Sequence, residues 1–206
     1  MGKRPLVRRR GRGGRQFRAT TIGKLAPAKY PSFALSEQHE GKIIDLVHER
    51  GREAPLAKVR FENGSICYMP AVIGTKVGSK IQIGLNAEIT NGNIISIQNI
   101  PDGTIVCNLE KHFGDGGAIS KSAGNYATVF SHGSDGVTVK LPSGKFTTLN
   151  PKNRAMIGTL AGGGITERPL MRAGTKWRKF RSKGRKYPIV RGVAQAAYVH
   201  PHGGGR

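Results

Sequence analysis

Short segments that alternate apolar and polar residues run through the first half of the chain. Leu56–Phe61 alternates as a half-buried strand does, and Lys80–Gly84 repeats the pattern. Before the next apolar segment, Ser65–Met69, stands Asn63-Gly64, a pair suited to the positive φ angles of a tight hairpin turn. With Lys42–Val47 as a first strand, these segments predict a small β-barrel.

A second set of strand-like segments follows a boundary expected near Leu85–Asn93. Tyr126–Phe130 and Val137–Leu141 alternate well, and a Pro-Ser-Gly turn then leads into Phe146–Leu149. These segments are typical of a meander that closes into a second barrel. No convincing helical period precedes residue 165, so the predicted fold class is all-β.

The charge of the chain is concentrated at its two ends. Against 34 lysines and arginines stand 12 acidic residues, which gives a net charge of +22 at pH 7. Residues 1–36 hold ten of the basic residues and residues 168–206 hold eleven, with no acid in either segment. Residues 37–167 are nearly neutral, with thirteen basic and all twelve acidic residues. Because like charges repel and few apolar groups accompany them, both ends require a polyanion to neutralise them.

Nucleic acid fits these ends better than a membrane surface does. A membrane-binding amphipathic helix needs apolar residues at helical spacing, whereas glycines such as Gly13, Gly14, Gly184 and Gly192 interrupt both ends. Extended arginine-rich segments follow phosphates and become ordered on binding. A solvated localisation tail and a chromatin protein that binds duplex DNA are the alternatives. Two long basic runs at opposite ends disfavour the localisation tail.

Cysteine usage and the apolar runs bear on the cellular compartment. Cys67 and Cys107 lie far apart in apolar segments, which favours free, buried thiols in a reducing compartment over a metal pair or a disulfide. No apolar run approaches the roughly 20 residues that a membrane span needs. The N-terminus lacks the apolar stretch of a secretory signal. We therefore expect a cytoplasmic protein.

The sequence has little that is typical of an enzyme. Gly162-Gly-Gly164 lacks the Lys-Ser/Thr of a phosphate-binding loop, and no Gly-x-Ser-x-Gly motif occurs. His200 and His202 could ligate a metal, and His200 could act as a general base, but no acid or cysteine stands nearby. Hydrogen bonding of both imidazoles to RNA is the favoured interpretation. We predict no enzymatic activity, cofactor, metal site or small-molecule substrate, apart from Mg²⁺ ions that accompany bound RNA.

Two loops of the core are candidates for phosphate contact. Phe113–Ala118 is rich in glycine and could present backbone N–H groups to a phosphate, although an ordinary barrel turn explains it equally well. Ser120–Asn125 combines small polar residues with Lys121. A helical turn or two near Ala118–Ser122 or Arg172–Trp177 is left open.

Several strings, each modest alone, occur together and in order along the chain. They are Asn99–Val106, Ser122–Thr128, Val139–Gly144, Asn153–Gly158, Met171–Gly174, Val190–Ala194 and His200–Gly205. Together they resemble the family of large-ribosomal-subunit protein two, over essentially the whole chain. Ala161–Gly164 and Gly124–Tyr126 are more similar to the archaeal and eukaryotic versions than to the bacterial one, and we take the chain as archaeal.

The resemblance implies an OB-like barrel at residues 37–84 and an SH3-like barrel at residues 85–170. A basic extended arm, residues 1–36, and a basic segment with glycine and histidine, residues 171–206, would flank them. The family is a structural constituent of the large subunit in translation, so both barrels and both ends would bind large-subunit rRNA. The segment matching Arg191–Gly205 would reach toward the peptidyl transferase centre. Neighbouring ribosomal proteins and the small subunit are further expected partners.

Charge and resemblance together give the candidate RNA-binding residues. In the N-terminal arm they are Arg4, Arg8, Arg9, Arg10, Arg12, Arg15 and Arg18. In the core they are Lys121 and Arg154. At the C-terminal end they are Arg172, Lys176, Arg178, Lys179, Arg181, Lys183, Arg185, Lys186, Arg191, His200, His202, Gly203 and Gly204.

The sequence departs from the family pattern in two places. Family members commonly have an acid before the histidine, but Gln195–Val199 contains none, which argues against catalysis by His200. They also usually continue with another basic stretch beyond the glycines, whereas this sequence ends at Arg206.

Overall fold

A computed structural model describes residues 4–33 and 37–205, which divide into two compact units. Leu25–Arg168 forms the first, which contains all the described strands and is called the barrel unit below. Met1–Lys24 and Pro169–Arg206 form the second, which contains the described α-helices and is called the basic unit. Within the described ranges, no helix is long and apolar enough to cross a membrane.

Ten strands make up the sheet of the barrel unit. They are β1 (His39–Val47), β2 (Leu56–Phe61), β3 (Ile66–Pro70), β4 (Lys80–Ile83), β5 (Ile94–Ser96), β6 (Ile105–Cys107), β7 (Ala127–Gly133), β8 (Gly136–Lys140), β9 (Phe146–Leu149) and β10 (Arg154–Ile157). Their order is β3-β2-β1-β4-β5-β10-β6-β7-β8-β9. Neighbours are antiparallel except β4 and β5, which pair in parallel. The all-β fold class is confirmed.

The first barrel has a core to which each of the strands β1 to β4 contributes. Ile43 of β1, Val59 of β2, Met69 of β3 and Ile81 of β4 are all buried in it. The alternation that predicted β2 matches its burial, because Ala57, Val59 and Phe61, at every second position, lie in this core. A turn forms at the predicted place, with Gly64 at φ +78° and a hydrogen bond of 2.9 Å from the Ser65 N–H to the Asn63 side chain, but Asn63 itself does not take a positive φ.

The second barrel has its own core, and three strands serve both cores: β5, β10 and β6, whose Cys107 packs in the first core. Val106, Val129 and Val139, from β6, β7 and β8, lie in the second core. In β5, Ile94 packs in the first core and Ile95 in the second. β10 is divided in the same way, with Met156 in the first core and Ala155 and Ile157 in the second. β5 and β10 are buried on both faces and therefore show no alternation in sequence.

Part of the predicted N-terminal arm packs against the barrels. Tyr30 is only 4% exposed, and its hydroxyl donates a hydrogen bond to the Asn108 carbonyl at 2.5 Å. The backbone N–H of Lys29 donates to the Tyr68 carbonyl and that of Tyr30 to the Gly116 carbonyl. Residues 25–33 therefore belong with the barrel unit, although the charge pattern groups them with the basic arm.

Among its described residues the basic unit contains two α-helices, α1 (Leu6–Arg10) and α2 (Ala173–Ser182), and the short 3₁₀-helices Arg15–Phe17 and Gly192–Ala194. The sequence pattern left open a turn at Arg172–Trp177 and predicted an extended chain beyond it, so α2 is longer than expected. Its N-cap residue makes no side-chain cap hydrogen bond, and its first turn holds no acid. Lys179 and Arg181 stand in the last turn, where the helix dipole favours positive charge. This placement of cations stabilises α2 at one end only.

Candidate nucleic-acid interface

The arginines predicted in the N-terminal arm all reach the surface. Each of Arg4, Arg8, Arg9, Arg10, Arg12, Arg15 and Arg18 is exposed. Arg9 Nε also donates a hydrogen bond to the Arg4 carbonyl at 2.8 Å, which helps to hold the chain at the start of α1. The arm therefore presents seven exposed guanidinium groups, whose N–H donors suit phosphate oxygens.

The predicted cations at the C-terminal end divide into an exposed and a half-buried set. The exposed ones are Arg172, Lys176, Arg178, Arg181, Arg185 and Arg191. The half-buried ones are Lys179, Lys183 and Lys186. Segments 1–24 and 169–206 together contain nineteen lysines and arginines and no aspartate or glutamate. The unit therefore has no acidic side chain of its own with which to balance this charge.

Aromatic rings lie among these cations on and beside α2. The Arg181 guanidinium carbon lies 5.0 Å from the centre of the Trp177 ring, and Lys176 Nζ lies 5.1 Å from the centre of the Tyr187 ring. Tyr187 also contacts Phe180, with the ring centres 5.5 Å apart. Cations interleaved with aromatic faces are typical of surfaces that bind single-stranded nucleic acid.

The segment with glycine and histidine folds back on itself. His200 Nδ1 accepts a hydrogen bond from the His202 backbone N–H at 3.2 Å, so a neutral His200 would carry its proton on Nε2. The Gly203 N–H donates to the His200 carbonyl at 2.8 Å, and the Gly204 N–H donates to the Gln195 carbonyl at 3.0 Å. His200 and Gly203 are half-buried, whereas His202 and Gly204 are exposed.

Two glycines of this segment are required by contacts within the chain. A Cβ atom on Gly192 would lie 2.4 Å from the His200 ring, and one on Gly203 would lie 2.3 Å from the Ala196 carbonyl oxygen. The sequence predicted that the backbone at these glycines lies very close to another group. In the structure that group is another part of the same segment, namely the His200 ring or the Ala196 carbonyl. Contact of Gly203 and Gly204 with RNA stays a prediction.

Lys121 connects two parts of the barrel unit. Its Nζ donates hydrogen bonds to the Ala28 carbonyl at 2.5 Å and to the Gly117 carbonyl at 2.8 Å. Burial lowers the pKa of Lys121, and the positive charges of Arg52 and Lys29 lower it further. Two of its three donors are thus used within the protein, and contact with RNA would rest on the third.

Arg154 requires a correction, because it is buried and cannot serve as a surface contact for RNA. Its Nε and Nη2 donate to the Glu110 carboxylate, and its Nη1 donates to the Pro31 carbonyl at 2.9 Å. The guanidinium also lies over the rings of Tyr30 and Phe113. Its role is to join β10 to the loop after β6 and to residues 30–31.

The glycine-rich loop 113–118 is an ordinary barrel turn stabilised by Asp115. The Asp115 carboxylate accepts hydrogen bonds from the backbone N–H groups of Lys111, His112 and Gly117. Burial raises the pKa of this carboxyl, but the three N–H donors outweigh it and hold the pKa below its usual value. Within the loop, the N–H groups of Asp115, Gly116, Gly117 and Ala118 all donate to oxygen atoms of the chain itself, so the structure gives no support to phosphate binding by this loop.

Both thiols are free, as predicted. Cys107 is buried and Cys67 is half-buried, and burial raises the pKa of each to about 12. Among the described residues, no group of three or more histidines, cysteines, aspartates or glutamates is arranged to hold a metal ion.

A near-neutral double barrel joined in sequence to an acid-free, arginine-rich unit is typical of a nucleic-acid-binding protein. Residues 90–206 match the family described as Ribosomal Proteins L2, C-terminal domain. Over its full length the chain is 79% identical to large ribosomal subunit protein uL2 of Nitrosopumilus maritimus, and it covers 85% of that protein. The corresponding proteins of Cenarchaeum symbiosum and Sulfurisphaera tokodaii are 76% and 48% identical, again with 85% covered. The chain belongs to the L2 family of large ribosomal subunit proteins.

Proposed function

We propose that this protein is a structural constituent of the large ribosomal subunit that binds and orders large-subunit rRNA, chiefly through its basic unit. The observation that carries the proposal is the nineteen lysines and arginines of segments 1–24 and 169–206, unaccompanied by any acid. Phosphates of RNA neutralise such charge and release bound counterions, which favours association. Membership of a family of large ribosomal subunit proteins supports RNA as the polyanion.

The barrel unit acts as a near-neutral support in this proposal. Its buried contacts, such as those of Tyr30 and Arg154, fix the end of the arm on a rigid sheet. Its outer surface contacts rRNA and neighbouring ribosomal proteins and contributes to association with the small subunit. The segment from Arg191 to Gly205 takes its place near the peptidyl transferase centre, where it holds RNA in shape.

His200 has a positioning role in this account and no catalytic one. The chain from residue 168 to residue 206 has no aspartate or glutamate that could orient its imidazole as a general base. Its Nδ1 instead accepts the backbone N–H of His202. Subunits reconstituted with His200→Ala should therefore assemble less well or bind RNA less tightly, and those that assemble should retain the rate of the chemical step.

A competition experiment tests the proposal. The full chain is bound to labelled large-subunit rRNA at 150 mM salt, about physiological, and challenged with unlabelled rRNA or with duplex DNA of equal phosphate content. We expect the rRNA to compete at least about a hundredfold better, as specific binding exceeds non-specific binding. Equal competition by duplex DNA would instead indicate a sequence-neutral polyanion binder of the chromatin type.

A further inference from the structure

A cavity of about 750 Å³ lies within the basic unit, between residues 15–22 and the region from Trp177 to Tyr187. Its volume lies in the range of about 300–1,000 Å³ that is usual for pockets that bind small ligands. The charged side chains that line it are Arg15, Arg18, Arg181, Arg185 and Lys186, all of them basic. A ligand of this cavity should therefore be anionic.

The glycine at position 184 allows the two sides of the cavity to approach each other. Gly184 has φ +67°, and a Cβ atom there would lie 2.7 Å from the Ala19 backbone nitrogen and 2.8 Å from the Phe17 carbonyl oxygen. The next residue, Arg185, donates its backbone N–H to the Phe180 carbonyl at 2.8 Å. This turn places Arg185 and Lys186 in the wall of the cavity.

Trp177 adds a large aromatic surface to the same wall. Its side chain is 43% exposed, with the Arg181 guanidinium 5.0 Å from the ring centre. Exposed tryptophan surface is unfavourable in water and becomes favourable when another flat group covers it. The other ring of the wall, Tyr187, already contacts Phe180 and Lys176, so Trp177 offers the larger uncovered area.

We propose that this cavity binds an unstacked nucleotide of single-stranded RNA, with its base stacked on Trp177 and the adjoining phosphates bound by Arg15, Arg18 and Arg185. The inference rests on the proposed function, since it names the form of RNA that the basic unit takes. In an A-form duplex the bases are stacked inside the helix, so a duplex offers phosphates and sugars but no base that could enter the cavity. The site therefore distinguishes loops and bulges from helices.

Intrinsic fluorescence provides a direct test, because Trp177 is the only tryptophan of the chain. The full chain is titrated with an adenosine RNA octamer, with an abasic ribose-phosphate octamer of the same charge, and with an RNA duplex of eight base pairs. We expect the adenosine octamer to quench the fluorescence and the other two to leave it nearly unchanged. Equal quenching by the abasic octamer or by the duplex would overturn the proposal.

Variants test the same site without relying on tryptophan emission. Binding of a fluorescein-labelled adenosine octamer should weaken about five- to hundredfold in Trp177→Leu, which removes base stacking, and much less in Trp177→Phe, which keeps a ring. Phe130→Leu, at an exposed aromatic ring of the barrel unit, is the matched control and should bind normally. Far-ultraviolet circular dichroism checks that each variant folds. Unchanged affinity in folded Trp177→Leu would overturn the proposal.

Binding of large-subunit rRNA by the same samples distinguishes a failure of the cavity proposal from a failure of the proposed function. A chain that binds the rRNA but shows no quenching with the adenosine octamer disproves the cavity proposal and leaves the proposed function intact. A chain that does not bind the rRNA disproves the proposed function, and with it the role assigned to Trp177.

Discussion

The carboxylate of Glu110 and the guanidinium of Arg154 form a buried ion pair in the barrel unit. Arg154 Nη2 lies 2.7 Å from Glu110 Oε1, and the two side chains are 4% and 0% exposed, respectively. The backbone N–H groups of Arg154 and Gly116 also donate to this carboxylate, at 3.0 and 3.1 Å. The carboxylate is therefore satisfied on both oxygens, as a charge removed from water must be.

Removal of one partner of this pair should destabilise the barrel unit strongly. In Glu110→Ala the Arg154 charge remains buried without its counter-ion, and such changes cost about 3–5 kcal/mol. Urea unfolding followed by circular dichroism measures the loss. Asp102→Ala is the control, because it breaks the exposed pair of Asp102 with His132 at 2.7 Å and should cost about 1 kcal/mol or less. Equal losses in the two variants would contradict the structural role of Glu110.

Gly124 and Gly163 meet backbone to backbone, and a side chain at Gly124 should not be tolerated. Gly124 has φ +73°, and its Cβ atom would lie 2.4 Å from Gly163 Cα. Gly144→Ala is a matched control, because Gly144 has a similar φ of +82° with nothing within 4 Å. The control should lose about 1–2 kcal/mol from its backbone conformation alone, and Gly124→Ala clearly more. Similar midpoints of urea unfolding for both variants would show that the contact between the glycines is unimportant.

Strands that face water on one side could be predicted from the sequence, and strands buried on both sides could not. β2 and β8 alternate because one face of each lies in a core and the other does not. β5 and β10 contribute to two cores at once, so their apolar residues are continuous and their pattern is not that of a half-buried strand. Only the tertiary arrangement of the two barrels identifies these central strands.

Charge alone was enough to predict the exposed cations of the candidate site, but not the residues whose position depends on a partner elsewhere in the chain. The arginines of the arm are exposed because a buried arginine needs a counter-ion, and their own segment contains no acid. Arg154 is in the interior because Glu110, 44 residues away in sequence, is its partner, a distance that no local pattern reveals. α2 was predicted only in part, since it has Gly174 near its start, many cations and an N-cap residue, Arg172, that makes no side-chain cap hydrogen bond.

The glycines at positions 203 and 205 should respond differently to the same substitution. In Gly203→Ala the new methyl group would lie 2.3 Å from the Ala196 carbonyl oxygen, so the hydrogen bond from the Gly203 N–H to His200 must shift. In Gly205→Ala the nearest atom is 3.8 Å away, which is an ordinary contact. Amide chemical shifts should change from residue 195 to residue 204 in the first variant only. Equal spectra for both variants would contradict the folded arrangement of this segment.

Asp115 should titrate below the ordinary aspartate pKa of 3.8 in the folded chain. Its N–H donors stabilise the ionised form, so its contribution to stability is fully present above the unfolded-state pKa. That contribution is lost as the pH falls through the lower, folded-state pKa. A carbon-13 NMR titration of the carboxyl group measures the midpoint, with a peptide of residues 111–117 as the reference. A midpoint equal to that of the peptide would show that these hydrogen bonds do not form in solution.

Salt dependence of rRNA binding shows whether the cations of the basic unit bind rRNA phosphates. In one variant Arg172, Lys176, Arg178 and Arg181 are replaced by glutamine. In a control of equal charge, Lys76, Lys140, Lys145 and Lys152, which are exposed on the barrel unit, are replaced instead. The slope of log affinity against log salt should become shallower by about 3–4 in the first variant and by clearly less in the control. An unchanged slope in the first variant, or equal changes in both, would contradict the account.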